Sequence, residues 1–436
     1  MTVAFVTLGC KVNQVDSGAL RQRMEAAGYD CVEPEETPDV LVINSCAVTA
    51  ESERKTRQKL HHFRALYHEC VLVLTGCAVQ AGKADAYPEA DIVLGHRDIG
   101  DFARYIDEFS RTKARAVCVS QHQRDEAFCD SAHKSIERTR AHLKIEDGCD
   151  RFCAYCIIPH ARGHVRSMPL EAMRRELENF DAQGFREIVL VGINLAAYGS
   201  DLGCGLGDAM SLFSDSETFS NIQRVRLGSL EPDLLTPTLI SKMANTTISS
   251  KIKLCPHFHV SLQSGCDSVL KRMGRLYSAE EYFTLIKRLR AYFPGAAVTT
   301  DVMVGFPGES EAEFEASLAF ARAVGFAKMH VFPFSARPGT AAAAMPGQVP
   351  RALKQARAKK MLTLAQECHT NFLNSQIGSV LEVLPEEEHP AGGMHGYSAH
   401  YAPVRITDAG PEAQNQIVRV RIESVQDDCC VGALLR

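Results

Sequence analysis

The chain has 436 residues, 45 % of them apolar and 23 % charged, with 16 cysteines and a formal net charge of −5. That balance describes a globular protein of several domains and excludes a disordered chain. The negative charge excludes a generally basic nucleic-acid binder, so any RNA contact has to come from local patches. No run of about 18 apolar residues is present, and the apolar start MTVAFVTLGC carries no basic segment, so neither a membrane span nor a signal peptide is expected. The chain reads as cytoplasmic, where thiols stay reduced and cysteines serve as metal ligands or buried side chains rather than as disulfides.

The N-terminal part repeats one pattern: an apolar strand-like run, a small or polar turn, a cysteine, then a helical segment. The runs are AFVTLG before Cys10, DVLVINS before Cys46 and CVLVLTG before Cys77. Strands alternating with helices predict βαβ units and a parallel sheet. This places the three cysteines at the carboxyl ends of their strands, the rim at which open α/β sheets bind ligands. Thiols far apart in sequence can converge there on one metal centre. The competing reading is that they are buried small residues, because free cysteine is among the most buried residue types. Residues 96–136 read as a helix, GDFARYIDEFSR, followed by a polar linker, with a domain boundary near residue 137.

Beyond that boundary the string GCDRFCAYC holds Cys149, Cys153 and Cys156. The CxxxCxxC spacing offers three thiolates, the soft ligands of iron–sulfur clusters, and leaves one iron of a four-iron cluster without a protein ligand. It resembles the signature of radical S-adenosylmethionine (SAM) enzymes, whose open iron chelates the amino and carboxylate groups of SAM, and Tyr155 fits that signature as a cofactor-side aromatic. Zinc, closed by a fourth ligand such as His160 or His142, is the competing reading, because structural zinc sites use four ligands. Six strand-like runs alternate with helical stretches from here on: AHLKIEDG, EIVLVGIN, RVRLGSLE, HFHVSLQ, AVTTDVMVGF and KMHVFPF. They predict a partial (β/α)6 barrel, whose chemistry sits at the carboxyl ends of its strands. Those ends carry Cys149, then Gly192 and Asn194, Ser229 and Glu231, Gln263 and Ser264, Gly305, and Ser335 with Arg337. Each polar end has an ordinary alternative role as cap or turn. Residues 200–221, rich in Gly, Ser and Asp, read as an inserted surface loop.

Residues 351–375 form a long helical stretch with a cationic face made by Arg351, Lys354, Arg357, Lys359 and Lys360. Such a face is either solvated or phosphate-contacting. The segments SVLEVL, YAPVRITD and QIVRVRIESV then alternate as strands do, with Val418, Val420 and Ile422 on one face of the last. They predict a small antiparallel β-barrel, the architecture of small RNA-binding barrels. It is locally acidic through Glu386, Glu387, Glu388, Asp427 and Asp428.

In order along nearly the whole chain, TLGCKVNQ, NSCAVT, TGCAVQ, KIEDGCDRFCAYCIIPHARG, HFHVSLQSGCDSVLKRMGR, TDVMVGFPGE and FPFSARPGT resemble the methylthiotransferase family of radical SAM enzymes. The terminal barrel is similar to that family's TRAM domain, an RNA-binding module. With Lys11 and Val12 after the cysteine, TLGCKVNQ is most similar to the branch that methylthiolates N6-threonylcarbamoyladenosine next to the tRNA anticodon. The isopentenyladenosine branch usually carries Gln-Met there and the ribosomal-protein branch Pro-Lys. Ser45 where Thr is commoner, the enlarged 200–221 loop and the acidic barrel are departures.

The resemblance implies an N-terminal methylthiotransferase domain over 1–115, a radical SAM domain over 137–368 and a TRAM-like barrel over 370–436. It implies two [4Fe-4S] clusters, one on Cys149, Cys153 and Cys156 that binds SAM and an auxiliary, sulfur-donating one on Cys10, Cys46 and Cys77. One SAM supplies a methyl group to sulfur, and another makes the radical that removes hydrogen from adenosine C2. Gly192, Asn194, Ser229, Glu231 and Gln263 are candidate SAM contacts from strand-end position and family likeness. Arg162 and Arg337 are candidates for the SAM carboxylate or an RNA phosphate, since arginine suits bidentate recognition, with structural ion pairs as the alternative. tRNA is then the substrate and a low-potential donor such as flavodoxin or ferredoxin the electron source. A methylthiotransferase acting on isopentenyladenosine tRNA or on a ribosomal protein, and a non-catalytic iron–sulfur or zinc RNA-binding protein, are the alternative functions. The remaining cysteines are read as structural or incidental.

Overall fold

Runs such as VLVINS and VLVLTG are buried at every position, the pattern of parallel strands covered by helices on both sides. The computed structural model describes the chain except residues 83, 125, 129–138, 215–217 and 436, and the side chains of 247–249. The boundary expected near 137 and Cys129 lie outside the described residues. The chain falls into two compact units, 1–134 with 146–168 and 335–344, and 135–145 with 169–334 and 345–436. The expected division into 1–115, 137–368 and 370–436 follows chain order, whereas these units interleave.

In the first unit, β1 (Thr2–Thr7), β2 (Asp30–Cys31), β3 (Val40–Ser45), β4 (Val71–Gly76), β5 (Ile92–Leu94) and β6 (Ala116–Cys118) form a parallel sheet in the order β2-β1-β3-β4-β5-β6. Helices α1 (Lys11–Ala26), α2 (Ala50–Leu66), α3 (Cys77–Ala81) and α4 (Phe102–Thr112) connect the strands. Strand alternation sends Leu41, Ile43, Leu72 and Leu74 to one face with Leu60 and Phe63 of α2. Val40, Val42, Val71 and Val73 go to the other with Met24 of α1 and Phe102 and Ile106 of α4.

In the second unit, all six predicted barrel runs contribute parallel strands: β7 (Arg140–Lys144), β10 (Glu187–Val191), β11 (Arg224–Leu227) with β12 (Ser229–Leu230), β14 (His257–Val260), β15 (Ala297–Val304) and β16 (Lys328–Pro333). With β13 (Lys253–Leu254) they make two sheets, β13-β11-β10-β7 and β12-β14-β15-β16. The RVRLGSLE run breaks at Gly228, whose N–H donates to the Leu190 carbonyl at 2.9 Å, so its halves pair into different sheets. The AHLKIEDG run also splits: β8 (Glu146–Asp147) turns into an antiparallel pair with β9 (Arg166–Ser167) in the first unit. In the first unit, α5 (Ile158–Arg162) and α12 (Ala341–Ala344) complete the helices, while the second has α6 (Leu170–Ala182), α7 (Leu206–Ser211), α8 (Pro237–Ser249), α9 (Asp267–Met273), α10 (Ala279–Tyr292), α11 (Glu311–Val324) and α13 (Arg351–Asn374). Helices α10 and α11 start at the capping boxes Ser278/Glu281 and Ser310/Glu313, each satisfying orphan N–H groups reciprocally.

One expectation needs correction, and the expected terminal barrel is present with one parallel seam. The 200–221 segment is not only surface loop, because α7 buries Leu206, Ala209 and Met210; the apolar spacing i, i+3, i+4 outweighs the Gly- and Asp-rich composition. The terminal barrel, β17 (Val380–Glu388), β18 (Met394–Ser398), β19 (Pro403–Ile406), β20 (Val418–Gln426) and β21 (Cys429–Leu434), closes in the order β17-β18-β19-β21-β20. Its seams are antiparallel except β19–β21, which is parallel, because a closed ring of five strands cannot alternate in direction at every seam. Val420, Ile422 and Cys430 fill its core with Leu373 from the end of α13.

Buried Glu187 accepts from Arg226 at 2.7 Å and Arg224 at 2.5 Å, and these guanidinium groups donate to carbonyls of Glu382, Tyr397, Ser398 and Ala399 in the barrel. The barrel is thereby bonded to the starts of β10 and β11. Among the described residues no helix is long and apolar enough to cross a membrane.

Candidate functional site

Cys10, Cys46 and Cys77 each follow a strand of one contiguous set, β1-β3-β4, whose registers align Thr7 with Asn44 and Ser45 with Gly76. All three therefore emerge at the same rim of the first unit. Cys10 is exposed at the N-cap of α1, whereas Cys46 and Cys77 are only 6 % and 2 % exposed. Gly9 makes the close approach possible: at φ +108° a Cβ there would lie 2.9 Å from Cys46 Cβ and 3.1 Å from its Sγ, which an L side chain cannot accommodate. Burial pushes the Cys77 thiol up to about 12, opposed by Arg162 and reinforced by Cys10 and Cys46. Burial also raises Cys46, with Cys10 adding to it. Cys77 thus has Cys10 and Cys46 as electrostatic neighbours, and three sulfurs at one rim are the donor set of a thiophilic group.

Asn13 braces the same rim. Its amide donates to the carbonyls of Leu8 at 2.8 Å and Ser45 at 2.9 Å, and its Oδ1 lies 3.8 Å from Cys77 Sγ. Asn44 Oδ1 and Thr75 Oγ1, each at the end of a strand, are buried and have no hydrogen-bond partner among the described residues.

The second cysteine set is also in the first unit, in the loop held by the β8/β9 pair. The Cys149 N–H donates to Gly163 O at 3.0 Å and that of Cys156 to Cys153 O at 2.9 Å, which folds the loop back on itself. Gly148 stands at φ +84°, where a Cβ would meet His164 O at 1.9 Å. Burial lifts the Cys149 thiol to about 12, with Cys156, Glu146 and Cys153 contributing. Cys153 and Cys156 are thus electrostatic neighbours of Cys149, which makes a second sulfur-only donor set. Tyr155 is partly buried beside Cys156. Phe152, at φ +44° and exposed, packs against the rings of His160 and His164 at 5.8 and 6.0 Å. Among the described residues no three His, Cys, Asp or Glu side chains are placed to hold a single metal ion.

Arg162 and Arg337 are both engaged by carboxylates. Arg162, 1 % exposed, donates from Nη1 to Asp147 at 2.9 and 3.0 Å and from Nη2 to Asp16 at 2.8 Å and Asn13 Oδ1 at 2.6 Å. Arg337 donates to Glu53 at 2.7 Å. Gly192, Asn194, Ser229, Glu231 and Gln263 lie at carboxyl ends of strands in the second unit. There Glu231 is ion-paired with Arg275 at 2.7 Å, and Gln263, at φ +67°, bonds through its backbone to Asp301 and Met303. Asn13, Asp16 and Asp147 were missed in the sequence. Their only signal is nearness to cysteines, Asn13 and Asp16 on the same early turns of α1 as Cys10. The cationic face of α13 is a correction: Arg357 is buried between Glu309 at 2.8 Å and Glu311 at 3.1 Å, Lys360 pairs with Glu311 and Glu315, and Lys354 donates to Phe334 O. Much of that charge is neutralised internally.

Residues 2–95 match the uncharacterized protein family UPF0004, and residues 143–321 match the radical SAM superfamily. The chain is 36 % identical over 430 residues to the threonylcarbamoyladenosine tRNA methylthiotransferase MtaB of Bacillus subtilis (strain 168), covering 97 % of this chain and 93 % of the relative. This chain belongs to the MtaB-type radical SAM methylthiotransferase family. A tRNA-2-methylthio-N(6)-dimethylallyladenosine synthase from Maricaulis maris (strain MCS10) is 32 % identical, with 98 % and 96 % of the two chains covered. In fold, this methylthiotransferase is similar to the radical S-adenosylmethionine methyltransferase TsrM from Kitasatospora setae, solved with cobalamin and a [4Fe-4S] cluster bound, at TM-score 0.56 and 13 % identity over 78 % and 77 % of the chains. Membership makes the chain a radical SAM enzyme that uses SAM and a [4Fe-4S] cluster. The sulfur-only donor sets described above fit such a group.

Proposed function

We propose that this methylthiotransferase acts on tRNA, placing a methylthio group at C2 of N6-threonylcarbamoyladenosine next to the anticodon. The relatives named for that activity are 33–36 % identical to it over most of the chain, and Lys11 and Val12 follow Cys10 as in that branch. Cys149, Cys153 and Cys156 would hold the SAM-binding cluster, and Cys10, Cys46 and Cys77 an auxiliary [4Fe-4S] cluster. When bound, these clusters supply the electron that cleaves SAM and the sulfur that carries the methyl group. The observation that carries the two-cluster reading is the second three-thiol set, brought to one rim by the contiguous strands β1, β3 and β4.

The chain's own residues divide the remaining work. Asn194, Glu231 and Gln263, buried at strand ends, with Gly192, Ser229 and Tyr155, orient SAM. The carboxylate partners of Arg162 and Arg337 favour the ion-pair role for both. The segments 1–115, 137–368 and 370–436 serve as the auxiliary-cluster, radical SAM and TRAM-like tRNA-binding domains. A low-potential flavodoxin or ferredoxin in the cytoplasm donates the electrons.

The test has two parts. Iron and sulfide are quantified anaerobically in the parent and in a Cys149→Ala/Cys153→Ala/Cys156→Ala variant, which is expected to retain the iron of one cluster. The reconstituted parent is then given SAM, reductant and tRNA from a strain lacking the modification, and nucleosides are read by mass spectrometry. Methylthiolated threonylcarbamoyladenosine is expected. Product on isopentenyladenosine alone would move the chain to the other tRNA branch, and 5′-deoxyadenosine without any tRNA product would reject the tRNA substrate.

A further inference from the structure

Arg162 is a buried cation of the first unit that bonds to both cysteine regions. It ends α5, directly after the CxxxCxxC loop, and the carbonyl of its neighbour Gly163 holds the Cys149 N–H. Asp147, which takes both oxygens to Nη1, lies two residues before Cys149. From Nη2 the same guanidinium reaches Asn13 and Asp16 of α1, the helix capped by Cys10, and Asn13 Oδ1 lies within 3.8 Å of Cys77 Sγ. Its Nε is buried and has no partner among the described residues. A buried ion pair is poor evidence of a purely stabilising role, since desolvation offsets much of the attraction. What such a pair does supply is a fixed charge in a medium of low dielectric.

We propose that Arg162 is a positioning residue that fixes a positive charge beside the Cys10, Cys46 and Cys77 site and sets the reduction potential of the cluster held there, while tying that site to the CxxxCxxC loop. The inference rests on the two-cluster reading above. A cation next to a cluster favours the reduced, more negative state, and net local charge is one of the levers by which proteins set such potentials. Asp16 and Asp147 bring the opposite charge to the same guanidinium, so the three residues form one charge set with opposed effects. Burial opposes the charge on Arg162, but Asp147, Cys77, Asp16 and Cys10 hold it firmly protonated.

The test uses the full chain carrying Cys149→Ala, Cys153→Ala and Cys156→Ala, so that only the N-terminal site can hold a cluster. Arg162→Gln, Arg162→Lys and Asp16→Asn are added separately, and the midpoint potential is read by spectroscopically monitored redox titration. Arg162→Gln is expected to lower the potential by at least the equivalent of a tenfold change in the reduction equilibrium, about 59 mV for one electron. Arg162→Lys is expected to restore most of the shift, and Asp16→Asn to move the potential upward. Opposite signs for the two charge changes are what a purely structural clasp does not produce. A cluster that assembles with unchanged potential in both Arg162→Gln and Asp16→Asn, or shifts the same way in both, overturns the proposal. If Arg162→Gln does not fold, Asp16→Asn decides alone, with an upward shift supporting the proposal and none overturning it. Absence of iron in the triple-cysteine parent rejects the auxiliary-cluster reading itself, and with it this inference, before any change at Arg162 is made.

Discussion

Gly148 and Glu187 show how single positions are held by surroundings distant in sequence. A methyl group at Gly148 would enter the carbonyl of His164 at a backbone angle of φ +84°, so Gly148→Ala displaces the backbone next to Cys149. Gly184 has the same φ with open space around it, and Gly184→Ala is expected to cost only about 1 kcal/mol of conformational strain. Iron quantification and thermal melts of the two variants side by side are expected to show cluster loss in Gly148→Ala alone. Glu187 is buried, and although burial by itself raises its carboxyl, Arg226, Arg224 and Arg140 hold it well below the usual carboxylate range. A carboxylate whose pKa is lowered on folding stabilises above its unfolded value, about 4.3, and loses that contribution as the pH falls toward the folded value. Glu187→Gln is therefore expected to destabilise by ~3–5 kcal/mol at neutral pH and to flatten the acid side of the stability profile. Melting temperatures of parent and variant from pH 3 to pH 8 check this, and parallel profiles would contradict it.

At the scale of elements, helix α13 separates what a sequence pattern says from what packing does. Its lysines and arginines read as a cationic face, yet Arg357 is buried on Glu309 and Glu311, which precede it by more than forty residues in the chain. Arg357→Ala leaves Glu309 buried without its cation and is expected to cost ~3–5 kcal/mol. Lys359→Ala, at an exposed position, is expected to stay within about 0.5 kcal/mol. Urea denaturation of both variants, followed by circular dichroism, tests the contrast. The α7 segment teaches the reverse lesson: its Leu206, Ala209 and Met210 spacing was legible, and glycine-rich composition masked it.

At the scale of the molecule, the terminal barrel is bonded into the second unit through Arg224 and Arg226, which are satisfied by barrel carbonyls as well as by Glu187. A chain ending at Gln376 deprives both guanidinium groups of those acceptors and removes the partners of Leu373 in the barrel core. It is expected to melt below the full chain by differential scanning calorimetry, even without RNA; an unchanged transition would mean the barrel is an independent appendage. The parallel sheet, the six barrel runs, the terminal barrel and the strand-end positions of the cysteines were legible in the chain alone, because periodicity and cysteine spacing are local or repeat along it. Packing alone settles that Asn13, Asp16, Asp147 and Arg162 form one network, that Arg357 and Lys360 of α13 are paired with Glu309, Glu311 and Glu315, and that β19 pairs parallel with β21. These depend on which charges desolvation forces together and on which strands meet edge to edge, and neither partner is written beside the other in the chain.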